Sequence, residues 1–308
     1  MSLAPEIKAF LEAGAAAGLP QVWEAPVDVI RRNTQARAAL AGPIEPVQEI
    51  VNRYIPGPTA DLPIRIYRPT KSTNAPAIIY FHGGGWVLNF LDIYDASLAR
   101  LANQSGATII SVNYQKAPEH PFPIPFDDCY ATLLWAIANA EDLKINPNRV
   151  GVAGDSAGAN LASGVAIKAR DNNISLAFQL LIYPCNGRDF TTDSYITNAT
   201  GYGLSTQAMQ WFWDQYLQGN QHDENPYAVP MKATSFKEIA PAIVLTAQYD
   251  PLISDGEQYA ELLKRDGVEV IYAEYPGMIH GFFTNMAVTP TAREAIDSAA
   301  AEIKRLTQ

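Results

Sequence analysis

A serine flanked by glycines, Gly154-Asp155-Ser156-Ala157-Gly158, follows the apolar run 150–153 directly and opens the helical stretch 157–170. In a strand-turn-helix setting, glycines two places either side of a serine let it occupy a sharp, strained turn, with Oγ projecting from the sheet edge as a nucleophile. A second segment, His82-Gly83-Gly84-Gly85-Trp86, ends the apolar run 77–81. Consecutive glycines leave backbone N–H groups unobstructed, so Gly84 and Gly85, joined by Ala157 after the serine, are the expected donors to a developing oxyanion. The glycines could equally serve a bare turn or hold a phosphate. No Lys-Ser/Thr follows them, so a P-loop fails.

A serine hydroxyl is a poor nucleophile until a base takes its proton. The chain has 4 histidines. His82 precedes the glycine run and is better placed to orient that loop together with Gly83. His120 sits among prolines and His222 in a polar stretch. His280 follows the last β-like run, where a loop at the C-terminal edge of a parallel sheet can carry a base over a nucleophile on a neighbouring strand. The imidazole needs an acid to fix its tautomer, and Asp250 stands just after the run 242–247. An aspartate there could also cap the following turn. Asp155, beside the serine, is expected to hold neighbouring backbone or loop groups rather than to take a chemical step.

The elements that must position these groups follow from periodicity. Residues 5–42 are alanine-rich with helical spacing and read as two helices broken at Gly18-Leu19-Pro20. The β-rich segments 47–55 and 62–67 flank Pro56-Gly57-Pro58 and predict an antiparallel entry into a sheet. Strand-like runs at 77–81, 107–113, 150–154, 177–183, 242–247 and 268–275 then alternate with helical stretches at 94–104, 127–139, from 157, and 256–265. That alternation predicts an α/β fold, a mostly parallel sheet covered on both faces. Regularity fails between 185 and about 240, the signature of a lid, binding loop or inserted subdomain. Its aromatic centre, Trp211-Phe212-Trp213-Asp214-Gln215-Tyr216-Leu217, can pack the insertion onto the core, line a cavity, or do both. With Trp86 and Phe90 beside the glycine loop, Trp211 suggests an apolar substrate pocket of limited length.

Composition narrows the classes. Apolar residues are 48% and charged ones 18% of 308, enough for a large core, and the net charge of -10 argues against nucleic acid as a partner. Cys129 and Cys185 lack the spacing of a zinc site or a disulfide framework. No metal-ligand cluster or dinucleotide fingerprint appears, so no cofactor is expected. The first ten residues do not read as a signal peptide and no run approaches the roughly 18 apolar residues of a spanning helix. A cytoplasmic protein without stable membrane insertion is the expectation.

The chain order Ser156, Asp250, His280 is that of α/β-hydrolases. The sequence resembles the hormone-sensitive-lipase-like family of bacterial esterases within that fold. The resemblance rests on His82-Gly83-Gly84-Gly85-Trp86, on Ala117-Pro118-Glu119-His120, on Gly154-Asp155-Ser156-Ala157-Gly158-Ala159-Asn160, on Asp250-Pro251-Leu252 and on His280-Gly281-Phe282. It implies an α/β-hydrolase fold, a mostly parallel eight-stranded sheet with helices on both faces and a helical cap formed by 1–44 and 185–225 over a core of 45–184 and 226–308. It further implies a carboxylic ester hydrolase for short- to medium-chain acyl esters, with a Ser-His-Asp triad and an acyl-enzyme, and a homodimer, common in the family. Two positions depart from the pattern: Gln115-Lys116 replaces the usual Arg-Leu, and Ser254 stands where a second aspartate is usual, with Asp255 one place later. A non-catalytic small-molecule receptor on the same fold, and an amidase or peptidase using the same triad, are the alternatives.

Overall fold

Runs such as Ala75–Phe81 and Thr108–Val112 are apolar at nearly every position, so neither face of a strand built from them can be left in water. The structure, a computed structural model that describes residues 2–69 and 74–308, places one 8-stranded sheet between two helical layers. The strands are β1 (Glu49–Pro56), β2 (Asp61–Arg68), β3 (Ala75–Phe81), β4 (Thr108–Val112), β5 (Ile145–Asp155), β6 (Gln179–Ile182), β7 (Ala242–Tyr249) and β8 (Val270–Ile279). Their spatial order is β1-β2-β4-β3-β5-β6-β7-β8, and only β2 runs against the others.

The helices are α1 (Pro5–Ala16), α2 (Val27–Thr34), α3 (Asp95–Ser105), α4 (Ile124–Ala138), α5 (Ala140–Leu143), α6 (Ala157–Asp171), α7 (Asp193–Thr197), α8 (Thr206–Leu217), α9 (Ile253–Arg265) and α10 (Thr291–Leu306). Alternate strand residues serve opposite layers, as the pleat requires. Ile79 and Phe81 of β3 and Val152 of β5 join α4, α6 and α9 in one core, whereas Ile78, Tyr80 and Ala153 join α3 and α10 in the other.

The antiparallel entry, the parallel strands and the break between the first two helices fall where the periodicity puts them. Three features differ. Helix α10 escapes a reading by hydrophobicity because its buried stripe, Ala292, Ala295, Ile296, Ala299, Ala300 and Ile303, has helical spacing but is mostly alanine. Strand β8 runs on to Ile279, so His280 is the first residue beyond it. The aromatic centre of the insertion is a helix, α8, started by Ser205, whose Oγ accepts from Ala208 N at 3.1 Å. No helix among the described residues is long and apolar enough to cross a membrane.

Helix α6 leaves the end of β5 and passes close over the end of β3. A Cβ on Gly158 would lie 1.9 Å from the Phe81 carbonyl oxygen, so nothing larger than glycine fits without moving the helix. Gly158→Ala is therefore expected to destabilise the protein by about 3 kcal/mol or more, the upper range for overpacking, read as a lower urea midpoint. A midpoint equal to that of the unaltered protein would show that α6 does not sit this close.

Candidate active site

Parallel strands end along one edge of a sheet, and the side chains singled out by the sequence stand at such ends. Ser156 lies between β5 and α6 with φ 57° and ψ -123°, a conformation that costs a non-glycine residue energy. The turn is held by its own N–H, which donates to Ile182 O at 2.8 Å. Tyr249 of β7 and Ile279 of β8 are register partners, so the residues that follow them, Asp250 and His280, emerge side by side.

The outcome is one hydrogen-bonded chain. His280 Nε2 is 2.9 Å from Ser156 Oγ, and His280 Nδ1 is 2.7 Å from Asp250 Oδ2. The Asp250 carboxylate is fully buried, and its Oδ1 accepts from Leu252 N at 2.9 Å. An imidazole held this way presents a lone pair to the hydroxyl while the carboxylate fixes its tautomer. His120 and His222 lie elsewhere: His120 borders a groove with Phe90 and Lys116, and His222 meets the Phe122 ring at 4.9 Å.

The loop after β3 is fixed from beneath. Asp155 accepts from Tyr80 OH and Gly83 N, both at 2.9 Å, and from Tyr94 OH at 3.1 Å. Burial pushes its carboxyl above the ordinary value, and these three donors oppose the rise. Gly83 N–H is thus engaged, whereas the Gly84 and Gly85 N–H groups have no protein acceptor among the described residues. Gly85 has φ 60°, and a Cβ there would lie 2.1 Å from the Phe212 ring, so α8 packs directly on this loop. His82 is fully buried, bonded to Gly83 O at 2.8 Å and stacked on Tyr114 at 4.4 Å. Burial first, and the charge of Lys116 second, hold its imidazole down to about 3 from the ordinary 6.5.

Ser156 and His280 open into a cavity of about 80 Å³ whose apolar wall includes Leu88, Leu204, Met209 and Phe212. The three aromatic residues expected there are placed differently. Trp86 is fully buried and stacked on Tyr216 at 4.3 Å, Phe90 faces the groove with His120, and Trp211 packs edge-on against Phe212 at 5.3 Å. Trp86 is drawn into the core because α8 closes over it, which a sequence window cannot reveal. Phe212 is the residue of the aromatic segment that reaches the cavity.

What supports the acid has no local mark in the sequence. Ser194 Oγ donates to Pro251 O at 2.6 Å, and Asn198 Nδ2 donates to Asp250 O at 3.1 Å, so α7 clamps the loop that carries the carboxylate. Asp255 turns the other way and accepts from Gly187 N at 3.2 Å. Tyr183, with φ 38°, packs its ring 4.5 Å from that of His280. At the other departure, Gln115 N donates to Asp128 Oδ2 at 2.9 Å and Lys116 Nζ to Asn113 Oδ1 at 2.6 Å, while Arg31 of α2 grips Glu119 at 2.7 and 2.8 Å.

Comparison with known proteins agrees with this arrangement. The profile of the alpha/beta hydrolase fold matches residues 78–284. The chain is 38% identical to carboxylesterase NlhH of Mycobacterium tuberculosis over 80% of its own length and 78% of that protein. It is 33% identical to ethyl acetate hydrolase of Pseudomonas putida over 96% of both. A hyperthermophilic esterase from Pyrobaculum calidifontis superimposes with a TM-score of 0.94 at 37% identity, covering 99% of each chain.

The burial of His82 has a measurable consequence. The folded protein takes up this proton only near pH 3 and the unfolded chain near 6.5, so between them the unfolded state binds more protons. Its contribution to stability is intact above 6.5 and is lost as pH falls toward 3, by up to about 1.4 kcal/mol per pH unit. His82→Gln is expected to flatten the acid limb of stability against pH relative to the unaltered protein, in urea titrations at pH 7, 5.5 and 4.5. Parallel limbs would contradict the burial of a neutral imidazole.

Proposed function

The chain belongs to the hormone-sensitive-lipase-like esterases of the α/β-hydrolase fold and hydrolyses esters, and we propose that it does so through Ser156, His280 and Asp250 by way of an acyl-enzyme. The observation that carries this reading is the imidazole bridging Ser156 Oγ at 2.9 Å and the buried Asp250 carboxylate at 2.7 Å. Ser156 Oγ attacks the ester carbonyl as His280 Nε2 takes its proton. The oxyanion is received by the N–H groups of Gly84, Gly85 and Ala157, and Asp250 stabilises the imidazolium. His280 then gives the proton to the departing alcohol. Water enters, loses a proton to the same nitrogen and attacks the acyl carbon; the bond to Ser156 Oγ then breaks, His280 returns the proton to that oxygen, and the acid leaves.

Segments 1–44 and 185–225 act as a cap over the core. Support comes from the cavity wall, to which the first contributes Arg37 and the second Leu204, Met209 and Phe212. A cavity of about 80 Å³ with one apolar wall favours acyl chains of short to medium length. Cys129 and Cys185 are buried free thiols, which suits a reducing compartment, the cytoplasm.

Ser156→Ala is expected to lower kcat by roughly 10⁴ to 10⁶ with p-nitrophenyl butyrate while leaving the melting temperature close to that of the unaltered enzyme. Undiminished turnover in a clean preparation would reject Ser156 as the nucleophile. Across p-nitrophenyl esters from acetate to palmitate, kcat/KM is expected to peak at or below about eight acyl carbons and to fall at least tenfold by laurate, since the longer chain outruns the cavity. A maximum at palmitate would reject the short site.

A further inference from the structure

Most arginines among the described residues are tied down. Arg31 is held by Glu119 and the carbonyls of Val87 and Ala117, Arg65 by Asp92 and Asp95, Arg100 by Glu45 and Asp297, and Arg188 by Asp214 and Asp223. Arg37, exposed on the 3₁₀ turn Gln35–Ala41, differs from these. Among the described residues it has no hydrogen-bond or ion-pair partner, and it lines the same cavity as Ser156 and His280. Arg53 also lacks such a partner but lies over the Trp135 ring, away from the cavity. Gly281, the residue after the base, has φ 83°, and a Cβ built on it would lie 3.3 Å from Arg37 Nη2. The guanidinium therefore rests over the backbone that carries His280.

The other charged group on this wall does not pair with Arg37. Asp155, the one carboxylate lining the cavity among the described residues, is engaged by Tyr80, Gly83 and Tyr94. The remaining polar lining near His280, Thr284 and Asn285, is uncharged. Burial drives the phenols of Tyr94 and Tyr183 well above their ordinary value, and the positive charge of Arg37 opposes that rise in both. Its charge is thus felt at these phenols, where that of Asp155 acts more strongly in the opposite sense. The chain as a whole carries -10, so its average field repels anions, and attraction for one must come from a local cation.

We propose that Arg37 is a specificity-determining residue that pairs with a carboxylate carried by the ester substrate, so that the preferred substrates are esters bearing a carboxylate on their acyl or alcohol part. The inference rests on the ester-hydrolysis mechanism above and names the substrate class of the same site. A guanidinium offers a planar fork of donors that matches a carboxylate, and at Arg37 no protein group among the described residues competes for it.

The test compares two matched pairs on the full-length enzyme. Mono-p-nitrophenyl glutarate against p-nitrophenyl pentanoate places the carboxylate on the acyl side, and 3-acetoxybenzoate against 3-methylphenyl acetate places it on the alcohol side. The readout is the ratio of kcat/KM for the charged ester to that for its neutral partner. In Arg37→Gln that ratio is expected to fall at least tenfold in one pair, chiefly through KM, with Arg37→Lys recovering part of it. The pair that responds identifies the side of the ester that carries the charge. A ratio within twofold of the wild-type value in both pairs overturns the inference and leaves the triad mechanism standing. Hydrolysis surviving in Ser156→Ala overturns the mechanism instead, independently of the ratio.

Discussion

Everything at this site depends on one rung of the sheet. Tyr249 and Ile279 are paired across β7 and β8, and the next residue on each strand is Asp250 and His280. A one-residue slip would turn successive side chains to opposite faces and separate the carboxylate from the imidazole. The same edge carries Ser156, since Asp155 of β5 pairs with Ile182 of β6 and Ile182 with Leu245 of β7. The rung lies beyond a register shift between Ala247 and Tyr249, and the end of β8 there, Gly277–Ile279, is buried, so that His280 is held within hydrogen-bond reach of both partners.

The layers above the sheet edge do the rest. Helix α8 sets Phe212 against Gly85, and α7 bonds to the backbone at Asp250 and Pro251, so the insertion both walls the cavity and supports the acid loop. The N-terminal segment reaches the same region through Arg31, which grips Glu119, and through Arg37 at the cavity itself. Changes in either segment therefore act on the geometry of the crevice as well as on access to it.

Much of the fold was legible because strong signals coincide. The strand, glycine-flanked serine and helix at 150–170 agree at every level, and the alternating runs from 77 onward leave few topologies. What escaped had weak or nonlocal signals. Helix α10 is amphipathic in alanine, and the support from Ser194 and Asn198 comes from chain about fifty residues from Asp250, where composition says only that the segment is irregular. The placement of the rings has a related cause: Trp86 is adjacent to the glycine loop in sequence, but the largest rings are drawn to the dry interface under α8, leaving smaller side chains to face the cavity. Arg37 gave no signal at all, since a single arginine in an alanine-rich stretch reads as a solvated residue.

The central claim is that His280 makes an otherwise unreactive serine hydroxyl nucleophilic. Intact-mass and peptide analysis after brief exposure to a small organophosphate tests it most directly. The account predicts a single adduct on Ser156 in the unaltered protein and labelling slowed by at least a hundredfold in His280→Ala. An unlabelled Ser156, or equal labelling of both proteins, would contradict it.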